Sequence, residues 1–119
     1  MQSFAQIVKV FIILLVVDSG YLYSTSTLFG ETVKNIQHSS MNIRYGSVFV
    51  VYALLAYGLI HFVKRSVKDA AILGAVIYGV FDFTNYAMFR DYGLHIAIMD
   101  TIWGSILMAT TTYIYSNIL

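Results

Sequence analysis

Three acidic residues of this 119-residue chain lie inside long apolar stretches, where a carboxyl group is costly: Asp18, Asp82 and Asp100. Each stretch has roughly 20 mostly apolar residues, enough to cross a bilayer as a helix. An Asp near the middle of such a helix costs on the order of 2.5–3.5 kcal/mol on insertion scales. A chain that tolerates this cost three times is expected to use the carboxyl groups, with one another or with a bound species.

The composition indicates an integral membrane protein. Hydrophobic residues make up 59% of the chain and charged residues 11%, against about 25% charged in soluble domains, and the mean hydropathy is +0.74. The absence of Cys excludes disulfides and thiolate metal sites. A net charge of +1 without a long basic run argues against a nucleic-acid partner. The lipid bilayer is therefore the expected partner.

Four apolar segments predict a single all-α domain, a polytopic transmembrane four-helix bundle with helices at about 5–25, 45–63, 70–89 and 94–115. The one long polar stretch, 29–42, separates the first two segments. The other links are short, so neighbouring helices are expected to be antiparallel.

The first segment also has a signal-peptide alternative. Its apolar centre has the length of a signal-peptide h-region, with Lys9 before it. No clean cleavage site follows, which favours a retained helix. Basic residues are slightly more numerous on the side that holds the N-terminus, where Lys64, Arg65 and Lys68 form a compact group. This predicts that both termini are cytoplasmic.

Residue counts predict that the three carboxyl groups lie at one depth. Asp18 and Asp82 each lie about seven residues before the predicted end of a helix, and Asp100 lies about six after a predicted start. In an up-down bundle these three ends share one side of the membrane. At about 1.5 Å per residue, all three carboxyl groups lie roughly 10 Å below the same surface. The chain is therefore expected to contain a buried layer of three aspartates.

Polar side chains lie about one helical turn from each acid and could donate hydrogen bonds to it. They are Tyr21, Tyr78, Asn85 and Trp103, and Tyr52 at a similar depth could add a phenol. The predicted binding set is Asp18, Asp82, Asn85 and Asp100, with the other side chains in support. Gly74, Gly79 and Gly104 are small enough to let the third and fourth helices approach closely.

The charge pattern leaves two hypotheses for the acids. No basic side chain lies in the interior near them, and three carboxylates in a low-dielectric layer cannot all be ionised. They could bind and move protons or a small cation. Alternatively, they hold the helices together by hydrogen bonds in a structural or accessory subunit of a larger cellular, organellar or viral assembly. Arg44 is the one base on another helix that could reach Asp100.

Other signals point away from catalysis. The chain has no nucleophile–base pair, phosphate-binding loop, dinucleotide fingerprint or zinc spacing. It is therefore not expected to be an enzyme or to hold a metal or cofactor. Four helices of this length enclose little volume, so a homo-oligomer or another membrane partner is expected.

Two motifs resemble a known family. Gly79, Asp82, Thr84 and Asn85 spell G-x-x-D-x-T-N, and Asp100, Trp103 and Gly104 spell D-x-x-W-G. Together they resemble the small four-helix membrane proteins called domain of unknown function 2177. In that family the first-helix Asp is typically followed three residues later by Trp, whereas Asp18 is followed by Tyr21.

The resemblance implies the four-helix fold and the same three acids, and it adds Thr84 as a supporting residue. It implies no activity, because the family is uncharacterised. The architecture is also similar to that of small multidrug-resistance exporters, which have four short helices and a first-helix acid and work as dimers. The chain shares none of their motifs.

Overall fold

The computed structural model describes residues 4–118. Their four α-helices are α1 (Phe4–Gln37), α2 (Tyr45–Gly58), α3 (Val67–Met88) and α4 (Leu94–Asn117). A π-helical segment, Leu59–Val63, continues α2. With this continuation, all four helices are long and apolar enough to cross a membrane. Helices satisfy their backbone hydrogen bonds internally, as a bilayer requires. The predicted all-α four-helix bundle is confirmed.

Helix α1 is longer than predicted, because it continues past residue 25 to Gln37. Its 34 residues span about 51 Å, more than the roughly 30 Å of a bilayer's hydrocarbon core. The polar composition beyond residue 28 suggested a loop. Inside the helix, however, the hydroxyl groups of Thr25 and Thr32 donate to carbonyls four residues back. The helix ends at His38, which has a left-handed φ of 60°.

The core has two apolar clusters that lie on either side of the aspartates. The larger one joins all four helices, and its fully buried members include Val10, Leu14, Leu107 and Met108. Helix α1 thus contributes to the centre of the bundle. In the smaller cluster, Leu28, Phe29 and Ile36 pack on Tyr92, Ile96 and Ala97. The extended part of α1 therefore covers the turn between α3 and α4.

Helices α3 and α4 pack closely through glycines, as predicted. A Cβ atom on Gly74 would lie 2.3 Å from the carbonyl oxygen of Gly104. A Cβ atom on Gly104 would lie 2.2 Å from Cγ of Tyr78. Gly79 is less tightly placed, since a Cβ there would make an ordinary 3.5 Å contact with Thr101. The first two glycines therefore set the separation of the helices that carry Asp82 and Asp100.

We expect Gly74→Ala to destabilise the bundle by about 1–3 kcal/mol, because the added methyl group meets backbone atoms that cannot rotate away. The matched control is Gly20→Ala in α1, where nothing lies within 4 Å of the added Cβ atom. There Ala gains up to about 1 kcal/mol of helix propensity. Thermal melting in detergent, monitored by circular dichroism, measures the stability of both variants. Equal melting temperatures for the two variants would contradict the close packing.

Candidate functional site

The three aspartates that the sequence singled out are all buried in the described part of the chain. Asp82 on α3 is fully buried, and Asp18 on α1 and Asp100 on α4 are 5% and 7% exposed. Asp82 lies roughly two turns before the end of α3, and Asp100 roughly two turns after the start of α4. The equal depth predicted for these two residues follows from the short turn that joins their helices.

Helices α1 and α4 exchange a reciprocal pair of hydrogen bonds. The Tyr21 hydroxyl on α1 donates to Oδ1 of Asp100 over 2.8 Å, and Trp103 Nε1 on α4 donates to Oδ1 of Asp18 over 2.8 Å. The two donor rings stack, with centroids 4.7 Å apart and planes 5° from parallel. On each helix the acid precedes the aromatic residue by three positions. Because the two helices are antiparallel, the acid of one helix lies opposite the aromatic residue of the other. Each donor therefore serves the acid of the opposite helix.

Asp18 also joins α1 to α2. The buried Tyr52 hydroxyl on α2 donates to Oδ2 of Asp18. Both carboxyl oxygens of Asp18 therefore accept a hydrogen bond, one from α2 and one from α4. The sequence predicted that Tyr52 lies at a depth similar to that of the acids, but it did not predict which acid Tyr52 contacts.

Tyr92 is a member of the site that the sequence analysis missed. It lies in the turn between α3 and α4, is buried, and donates its hydroxyl to Oδ1 of Asp82. Burial and the hydrogen bond to Asp82 raise the pKa of the Tyr92 phenol, so it stays a proton donor. The Asn85 side chain lies close enough to the Tyr92 phenol to influence it. Asn85 thus lies next to a partner of the acid, one turn from Asp82.

The carboxyl groups of Asp82 and Asp100 also interact with each other. Their side chains lie within hydrogen-bonding reach of each other. No N–H or O–H group of residues 4–118 donates to the second oxygen of Asp82, which is fully buried. Two carboxylates in contact repel each other unless a proton or a cation lies between them. This pair is therefore the part of the site that requires a bound positive species.

Of the remaining predicted site residues, Tyr78 lies in the aspartate layer, whereas Thr84 and Arg44 lie on the surface. Tyr78 packs its ring on the backbone of Gly104, and its phenol interacts electrostatically with all three carboxyl groups. Thr84 is exposed on α3. Arg44 is exposed directly before α2, while the phenol of Tyr21 donates to Asp100, the acid that Arg44 could have reached.

Aromatic side chains supply every hydrogen bond described for the three carboxyl groups, and no Lys or Arg contributes one within residues 4–118. In the same range, no group of three or more His, Cys, Asp or Glu side chains is placed to hold a metal ion. The layer is therefore a set of neutral donors around acidic acceptors, with positive charge required only at the pair of Asp82 and Asp100.

Comparison with known proteins identifies the family. The family model described as "Predicted membrane protein (DUF2177)" matches residues 3–116. Because the match covers nearly the whole chain, the protein belongs to this family, and the resemblance seen in the two sequence motifs is confirmed. No curated protein and no solved structure matches the chain.

We expect Tyr21→Phe to destabilise the protein by about 1 kcal/mol, because Asp100 loses its phenol donor in the membrane interior. The same substitution should have little effect in an Asp100→Leu background, where the acceptor is already absent. Denaturant unfolding in detergent measures the stability of the wild type, the two single variants and the double variant.

Arg44→Gln is the matched control and should leave the stability unchanged, because Arg44 is exposed. Full additivity of Tyr21→Phe and Asp100→Leu would contradict the hydrogen bond. A coupling between Arg44 and Asp100 would instead support the ion pair expected from the sequence.

Proposed function

We propose that this member of the predicted membrane protein family binds protons at the Asp82–Asp100 pair and exchanges them between the two sides of the membrane. The observation that carries the proposal is the contact between these two buried carboxyl groups. A pair of acids in contact takes up and releases a proton as one unit. A small monovalent cation is the second species that could neutralise the pair.

A line of hydrogen-bonding groups supports access to the pair from one side. Tyr92, in the turn between α3 and α4, donates to Asp82, and Tyr21 donates to Asp100. The four groups Tyr92, Asp82, Asp100 and Tyr21 follow one another across the bundle. A phenol can give up one proton while it accepts another, so these groups can pass protons between the turn and the pair.

Apolar packing separates the pair from the other end of the bundle. Leu14, Leu107 and Met108 are all fully buried and fill the larger core cluster on that side. They offer no group that can carry a proton. Transfer across the membrane therefore requires α1 and α4 to separate in this region, with the pair open to each side in turn. In this respect the mechanism is one of alternating access rather than an open channel.

The structural alternative rests on a different observation, namely that each acid accepts a hydrogen bond from another part of the chain. Asp18 receives donors from α2 and α4, and Asp100 receives one from α1. An accessory subunit could use the acids in this way alone. Both readings give the chain a non-enzymatic role. Assembly with a second copy, or with another membrane partner, and cytoplasmic termini stay predictions.

The discriminating variant is Asp82→Asn, which keeps the size of the side chain and an oxygen acceptor for Tyr92 but cannot ionise. In liposomes loaded with a pH-sensitive dye, wild-type protein should accelerate the collapse of an imposed pH gradient when potassium and valinomycin compensate charge. Asp82→Asn should reduce the rate to that of protein-free liposomes, with a melting temperature close to that of the wild type.

Asp91→Asn is the matched control, because Asp91 is an exposed acid on the turn next to Tyr92. This variant should transport at the wild-type rate. Wild-type protein that is no faster than empty liposomes would contradict the proposal and favour the structural alternative. Unchanged flux in Asp82→Asn would exclude the pair as the proton carrier.

A further inference from the structure

A second polar site lies at the opposite end of the bundle, beyond the apolar packing. A cavity of about 300 Å³ is bounded by the start of α1, the end of the α2 extension and the last turns of α4. Its described lining contains two basic side chains, Lys64 and Arg65, and no acidic one. This cavity is separate from the aspartate layer, so a ligand bound there is independent of proton exchange at the acids.

Arg65 is held in place at the edge of this cavity. Its guanidinium carbon lies 4.7 Å from the centre of the Tyr115 ring, a cation–π distance. Its Nη1 atom donates to the carbonyl oxygen of Ser116 over 3.4 Å, and the Ser116 hydroxyl donates to the Arg65 carbonyl over the same distance. The guanidinium is therefore oriented before any ligand arrives. Lys64, its neighbour, is exposed.

One residue that lines the cavity has a buried hydroxyl group without a hydrogen-bond partner in the described part of the chain. Thr111 is completely buried, lines the cavity, and its Oγ1 atom forms no hydrogen bond within the described residues. A buried hydroxyl left without a partner is unfavourable, because it has lost its hydrogen bonds to water. A ligand oxygen in the cavity would remove that cost. Val10, Leu59 and Ile60 complete the lining with apolar surface.

We propose that this cavity binds the headgroup region of an anionic phospholipid. The phosphate would lie at Lys64 and Arg65, and an ester or glycerol oxygen would accept a hydrogen bond from Thr111. The first acyl carbons would lie along the apolar lining. Basic pockets between transmembrane helices are typical sites for anionic headgroups. The helix ends that form this cavity also lie at the level where headgroups meet protein in a bilayer, because α2 with its π-helical continuation, α3 and α4 each have the length of a single span.

The combination of features is what points to a lipid. A free anion needs only the basic edge, whereas an amphiphile uses the basic edge, the buried hydroxyl and the apolar lining together. The volume of about 300 Å³ suits a headgroup with its glycerol, and it is too small for a whole lipid. The chains would therefore extend along the outer surface of the helices.

The test is the thermal stabilisation of delipidated, detergent-solubilised protein by added lipid. Phosphatidylglycerol should raise the melting temperature in a saturable way, whereas zwitterionic phosphatidylcholine should not. Inorganic phosphate is the third probe. If phosphate alone reproduced the effect of phosphatidylglycerol, the cavity would be an anion site and the lipid assignment would be wrong.

Thr111→Val is the decisive variant, because it keeps the shape of the side chain and removes only the hydroxyl group. The unliganded variant should melt no lower than the wild type, since the hydroxyl has no protein partner to lose. It should nonetheless need about fivefold more phosphatidylglycerol for half-maximal stabilisation, the loss expected for one hydrogen bond. Lys64→Gln should also weaken the response, and it is a safer variant for folding than Arg65→Gln because it leaves the contacts of Arg65 with Tyr115 and Ser116 in place.

Lys34→Gln is the matched control. Lys34 is an exposed base near the other end of α1, about 42 Å along the helix from Gln6 at the cavity. The Lys34→Gln variant should be stabilised by phosphatidylglycerol to the same extent as the wild type. An undiminished response in Thr111→Val would overturn the proposal, since the lipid would then act only through surface charge. Equal stabilisation by both lipids would overturn it as well.

Discussion

Three carboxyl groups can be buried in this bundle only if each meets a donor or a proton, and this requirement fixes how the helices are arranged. In a low-dielectric interior an unpartnered carboxyl group is far more costly than in water. The hydrogen-bond donors come from other elements of the chain, so each acid ties its helix to another element. Asp18 connects α1 with α2 and α4, and Asp82 connects α3 with the turn that follows it. Rotation of any helix about its axis would break at least one of these bonds.

Glycine packing complements this arrangement. Gly74 and Gly104 bring the axes of α3 and α4 close together, so that Asp82 and Asp100 come within reach of each other. Bulkier residues would separate the two acids and leave each to find its own partner. The contact that requires a proton is therefore a result of small residues one or two turns away, as much as of the acids themselves.

The distances of Asp82 and Asp100 from the turn between α3 and α4 could be predicted from the sequence, because the link between these helices is short. The predicted distance of Asp18 from the end of its helix was wrong, since α1 continues to Gln37. The hydrogen-bond partners of the acids could not be predicted. The pairing of Trp103 with Asp18 depends on the rotation of one helix against another, which residue spacing on a single helix does not contain. Tyr92 was missed because a turn residue has no helical periodicity. Thr84 matched a motif but lies on the exposed face of α3.

The reciprocal pair between α1 and α4 also gives this protein an optical property. The chain contains a single Trp, and its indole N–H bonds Asp18 while its ring stacks on Tyr21. The emission of an indole responds to the charge next to its N–H group and to the aromatic ring that covers its face. All of the intrinsic tryptophan fluorescence therefore originates within the acid layer. Any change in the ionisation of Asp18 or in the separation of α1 and α4 becomes a spectroscopic signal without a label.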